Sequence, residues 1–249
     1  MGAGPALVLV HGYVGDAKGT WQRQIDALSD EFMVVAWDGP GAGRSDDPPA
    51  SWQMADFADC LADFIETLEL KHPHVCGLSF GGGVAIELYR RRPEIPRSLI
   101  LADAYAGWAG SLPAEEVERR LNQAVSMADL PAERLVNEVV PTMFSRSAPA
   151  EMIEAFAANI SAFHPSGFPT MARAVAAADL RDVLPTIEIP TLLLYGAEDV
   201  RAPLAVAEHM HVAIRGSKLV VLPGVGHISS IEGADRFNEE VRSFVRLHA

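Results

Sequence analysis

The chain has 249 residues, enough to bury the core of one α/β domain carrying an insertion. Its 33 acidic residues outnumber 20 Lys and Arg, and the formal net charge of −13 opposes both a phosphate backbone and an anionic leaflet, so neither nucleic acid nor a membrane surface is an expected partner. The two cysteines, Cys60 in an apolar helical pattern and Cys76 in a strand-like run, supply no disulfide framework and no metal cluster; they read as buried free thiols in a reducing cytoplasm. No signal-peptide pattern opens the chain and no apolar run approaches the roughly 18 residues of a membrane span, so a soluble cytoplasmic protein is expected.

Short apolar runs bounded by glycine or proline alternate with longer stretches of helical spacing, the pattern of a mostly parallel sheet flanked by helices. The first run is Ala6 to Val10, followed by Met33 to Trp37. From Trp52 to Leu70, Met54, Ala58, Leu61, Ile65 and Leu68 share one helical stripe, while Asp56, Asp59, Asp63 and Glu66 lie largely off it. His74 to Leu78 and Ser98 to Ala102 are the next strands. The rhythm then breaks over 105–187, where helical segments start at or just after Pro113, Pro131, Pro149 and Pro165, and proline near a first helical turn is a start signal. This stretch reads as a helical lid inserted into a core formed by 1–104 and 188–249. Thr191 to Tyr195 and Lys218 to Leu222 complete six strands.

The chemistry concentrates at strand ends. Gly77-Leu78-Ser79-Phe80-Gly81 lies between a strand and a helix, where a nucleophile on a tight turn needs neighbours without side chains; Gly77, Gly81 and Gly82 supply that room. A serine hydroxyl needs a base to take its proton, and the base needs an acid to hold its tautomer. His227 follows the last strand through Gly224-Val225-Gly226. Asp199 follows the strand before it, with Glu198 and Asp103 as alternative acids. Both Asp199 and His227 leave the C-terminal edge of the sheet, where folds of this kind place their sites. The oxyanion formed on attack needs two N–H donors: Phe80, after the serine, and Tyr13, in the glycine-containing loop after the first strand. His11, at the end of that strand, reads as structural. His72, His74, His209, His211 and His248 are weaker bases, His164 reads as a solvated loop residue with substrate contact as the alternative, and none has metal-ligand spacing.

Together, His11-Gly12, the Asp38-Gly-Pro-Gly-Ala-Gly-Arg-Ser45 loop, the Ser79 elbow, Gly196-x-x-Asp199 and Gly224-x-Gly226-His227 resemble the α/β-hydrolase superfamily. More narrowly, the chain is similar to the small members that include enol-lactonases, cofactor-free haloperoxidases and perhydrolases, carboxylesterases and hydrolases of meta-cleavage products. The resemblance implies a helical lid after the sixth of the family's eight strands. It also marks two departures. The chain enters the His-Gly strand almost at once, so the leading N-terminal hairpin is absent, through truncation or loss of the sheet's leading edge. Glu232-Gly233-Ala234 stands where many relatives have Glu-x-Pro, which implies a looser helix start.

Serine at the elbow excludes the dehalogenase and epoxide-hydrolase branches, which place aspartate there. The expected function is hydrolysis of a small-molecule carboxylic ester or lactone through an acyl-enzyme on Ser79, with no metal or organic cofactor. Carbon–carbon hydrolysis of keto acids, acyl transfer to peroxide and a non-enzymatic receptor role are the alternatives. Trp108, Phe144, Phe163 and Phe168 are expected either to line an apolar substrate pocket or to form ordinary lid core.

Overall fold

The computed structural model of the chain describes residues 2–127, 132–160 and 164–249. β1 (Ala6–Val10), α1 (Ala17–Leu28), β2 (Met33–Trp37), α2 (Met54–Thr67), β3 (His74–Leu78), α3 (Phe80–Arg91) and β4 (Ser98–Ala102) form the first half. Among the described residues four α-helices follow: α4 (Ala114–Met127), α5 (Ala132–Val139), α6 (Ala150–Ile160) and α7 (Gly167–Ala177). The chain then closes with β5 (Thr191–Gly196), α8 (Leu204–Ala213), β6 (Lys218–Leu222), α9 (Ser229–Glu232) and α10 (Ala234–Leu247). The strands pair in the order β2-β1-β3-β4-β5-β6, all parallel. Parallel neighbours require crossover connections, and the helices supply them.

β3, β4 and β5 are buried at every residue, which is why they read as continuous apolar runs; β6 lies at an edge and leaves Lys218 and Val221 exposed. Each fully buried aliphatic side chain, Leu9, Leu99 and Leu193 among them, contributes roughly 1.5–3 kcal/mol through burial. Asp16 caps α1 by accepting the Gly19 N–H at 2.6 Å, satisfying an amide the first helical turn leaves free. Met54, Ala58, Leu61 and Ile65 of α2 are buried as their spacing predicts, but Leu68 lies past the helix end and is exposed. Cys76 is buried in the sheet, whereas Cys60 is only half-buried, because it stands at the margin of the α2 stripe.

β1 and β3 are neighbours, yet the chain runs from β1 outward to β2 before crossing back to β3. The loops after β1 and β3 therefore diverge at a topological switch point, where folds of this class open a crevice. Ser79, Asp103, Asp199 and His227 all follow strands at the same sheet edge. The segment between β4 and β5 holds no strand among the described residues, and α7 packs into the body of the protein along most of its length.

α7 is tied down at its start. Gly41 and Gly167 approach so closely that a Cβ on Gly41 would lie 2.7 Å from the Gly167 Cα. Beside them His164 bonds through Nδ1 to Asp47 at 2.9 Å and through Nε2 to the Gly43 carbonyl at 3.1 Å, and Ser166 donates to the same carboxylate. His164 is thus a latch rather than a solvated loop residue. Both partners only accept, so both ring nitrogens donate and the ring is cationic. The Asp47 hydrogen bond raises the His164 pKa above its usual 6.5, while Ser166 and His164 outweigh burial in holding Asp47 below its own usual value. The latch therefore contributes fully below about pH 6.5 and is lost as pH rises through the raised folded value. The gap in Tm between wild type and His164→Ala is expected to be wider at about pH 5.5 than at about pH 9; an equal gap would show that the ring is not charged.

Candidate active site

Ser79 ends β3 on a turn that a side chain rarely adopts, with φ 54° and ψ −112°. Such a backbone costs about 1–3 kcal/mol and persists only where its surroundings hold it. Here the Ser79 N–H donates to Ala102 at 2.8 Å, and its carbonyl accepts from Gly82 at 3.0 Å and Gly83 at 3.3 Å. The flanking glycines allow this fit: a Cβ on Gly77 would strike the Gly81 carbonyl, one on Gly81 the Val10 carbonyl, and one on Gly82 the Ala104 side chain.

His227 Nε2 lies 2.9 Å from Ser79 Oγ, and its Nδ1 lies 2.8 Å from Asp199 Oδ2. An ionised carboxylate only accepts, so Nδ1 carries the proton and Nε2 is free to accept from the serine hydroxyl. The other Asp199 oxygen accepts the amides of Arg201 at 2.7 Å and Ala202 at 2.9 Å. Burial alone would raise the Asp199 pKa, but His227 and these two amides outweigh it and hold the group below the usual carboxylate value. His227 is pushed below 6.5, first by burial and further by the charges of Arg201 and Arg120, against the opposing pull of Asp199. It is therefore a neutral imidazole around pH 7.

Neither alternative acid reaches the histidine. Glu198 points to solvent. Asp103 is fully buried and accepts the Gly196 amide at 2.9 Å and the Ser229 amide at 3.3 Å, bracing the loops that carry Asp199 and His227. Burial, then the charge of Asp199, raises its pKa well above the usual range. His11 accepts the Gly39 amide on Nε2 at 3.0 Å and donates from Nδ1 to the Gly12 carbonyl, pinning the loop after β1. Asp38 holds its own loop through the amides of Ala17 and Arg44, at 2.9 and 3.3 Å. Among the described residues no cluster of His, Cys, Asp or Glu is arranged to hold a metal.

A Cβ added to Gly12 would meet Ser79 Cβ at 3.6 Å, so the loop bearing Tyr13 lies against the serine. The N–H groups of Tyr13 and Phe80 have no protein acceptor among the described residues. The Tyr13 ring stacks on Phe168 at 5.1 Å and meets Trp108 edge-on at 5.7 Å, so these two aromatics gather beside the serine loop. Phe144 sits elsewhere: its ring packs on Phe156 at 5.5 Å and its backbone lies against Gly226 under the histidine loop. Phe163 lies outside the described residues.

Two features escape the sequence reading. Glu232 is the last residue of α9, and its carboxylate accepts the Gly226 amide at 2.7 Å and the Ser145 amide and hydroxyl, clamping the His227 loop to the segment after α5. Arg201 is buried, reaching the Tyr13 hydroxyl at 2.7 Å and Thr142 Oγ1 at 3.0 Å. Nothing in the local pattern distinguishes this arginine from the surface ones.

The family model described as alpha/beta hydrolase fold matches residues 5–234. A thermophilic esterase from Thermogutta terrifontis, solved with malate bound, superposes with a TM-score of 0.92 at 31% identity, covering 100% of this chain and 92% of that one. The enol-lactonase from Burkholderia xenovorans LB400 gives 0.85 at 26% identity over 98% of this chain and 92% of its own. In sequence, 3-oxoadipate enol-lactonase 1 of Acinetobacter baylyi is 27% identical over 97% of this chain and 89% of its own length. A match over nearly the whole chain, on a parallel sheet whose strand ends converge on one serine, makes this protein a member of the alpha/beta hydrolase fold family.

Proposed function

We propose that this hydrolase cleaves a small-molecule carboxylic ester or lactone through an acyl-enzyme on Ser79. The observation that carries the reading is the unbroken line from Asp199 through His227 to Ser79, with hydrogen bonds of 2.8 and 2.9 Å. In the first half-reaction His227 Nε2 takes the hydroxyl proton as Ser79 Oγ attacks the carbonyl carbon, then returns it to the departing alkoxide. Water next donates its proton to the same nitrogen while its oxygen attacks the acyl carbon, and Ser79 Oγ leaves with the proton, releasing the acid. Asp199 keeps the required tautomer and balances the transient imidazolium. The amides of Tyr13 and Phe80 stabilise the oxyanion in both steps. Residues 105–187 act as a lid over the core of 1–104 and 188–249, and Trp108 and Phe168, packed on Tyr13, form an apolar wall of the acyl site.

Ser79→Ala is expected to fold normally and to lower kcat for an activated aryl ester by about a millionfold, the scale of removing a triad serine; retention of activity would sink the assignment. Asp199→Asn keeps the shape but favours the wrong tautomer, so kcat should fall by about ten-thousandfold. Asp103→Asn should cost stability instead, because the Asn NH2 would face one of the two amides Asp103 now accepts. A larger rate loss at Asp103 would reverse the two roles. The base works only when neutral and its pKa is lowered, so the acid limb of kcat/KM should be centred below pH 6.5. An acid limb centred above 6.5 would contradict that environment.

A further inference from the structure

Arg201 is a buried cation that takes no part in the proton transfers of the serine mechanism. Only 9% of its surface is exposed, and its two terminal nitrogens reach neutral hydroxyls, those of Tyr13 and Thr142. Its Nε–H has no partner, and among the described residues no carboxylate lies within ion-pair distance of it. Asp199, two residues away, is engaged by His227 and by two backbone amides. Arg120 makes the contrast: it too is buried beside the site, reaching the Tyr105 hydroxyl at 3.1 Å, but Glu116 neutralises it at 2.6 Å. A buried guanidinium without a direct ion-pair partner is costly, and a clamp between two hydroxyls needs no charge.

We propose that Arg201 anchors a carboxylate carried by the substrate, so that the site selects anionic esters or lactones, such as monoesters of short dicarboxylic acids. This rests on the Ser79 acyl-enzyme reading. A planar fork with an unused N–H suits a carboxylate better than any neutral acceptor. The reach fits as well. Tyr13 offers its backbone N–H to the acyl oxygen and its phenol to Arg201, which sets the guanidinium within one tyrosine side chain of the reacting carbonyl. Trp108 and Phe168 pack on the same ring and make the surroundings of that tyrosine apolar.

The test compares kcat/KM for nitrophenyl hydrogen glutarate with that for its methyl-capped neutral analogue. Wild type is expected to prefer the anion by at least about tenfold, the scale of one charge-assisted contact. Arg201→Met should abolish that preference and Arg201→Lys should keep part of it. The ratio is the readout, so a general loss of rate from disturbing Tyr13 does not confuse it. Equal rates in wild type, or a preference that survives Arg201→Met, would overturn the proposal. If the variants do not fold, wild type decides alone: glutarate should slow fluorophosphonate labelling of Ser79 where glutaramide does not, and equal protection would overturn the carboxylate site. Absence of labelling at Ser79 would instead overturn the nucleophile, and the anchor with it.

Discussion

One imidazole bonded at one nitrogen to a serine hydroxyl and at the other to a carboxylate fixes the relative positions of three loops. Ser79, Asp199 and His227 come from the ends of β3, β5 and β6, and a shift of about an ångström in any loop breaks one of two hydrogen bonds. Much of the surrounding structure restrains those loops. The glycines at 77, 81 and 82 let the elbow close; Asp103 ties the Asp199 loop to the α9 turn; Glu232 ties the histidine loop to Ser145. These restraints hold a strained serine backbone that would relax if left alone.

The same neighbourhood concentrates buried charge. Asp199, Asp103, Arg201 and Arg120 are all at least nine-tenths buried around His227. Asp103, whose pKa burial and then Asp199 raise, braces the loops by accepting two backbone amides. Burial first, and the charges of the two arginines after it, hold the His227 pKa down.

All six strands and the serine elbow were legible in the sequence, because buried parallel strands leave continuous apolar runs and a tight elbow demands glycine at fixed offsets. Asp199 and His227 were legible as residues following strands, but the choice of Asp199 over Asp103 needed geometry: both leave the same edge, and only side-chain direction separates an acid that meets the histidine from one that braces backbone. Arg201, Glu232 and His164 were misread or missed for a related reason. Each works through a partner far along the chain, Tyr13, Ser145 and Asp47 respectively, and pattern spacing carries no information about such pairs. Leu68 and Cys60 show the limit of periodicity itself, which marks a stripe but neither the residue where its helix ends nor how deeply its margin is buried.

Covalent capture tests the central claim most directly. Acid-quenching the enzyme in the first turnovers of an activated aryl ester, then mapping the acylated peptide by mass spectrometry, should find the acyl mass on Ser79 and on no other residue. Turnover that proceeds with Ser79 unmodified, or with the acyl group on a different side chain, would contradict the account.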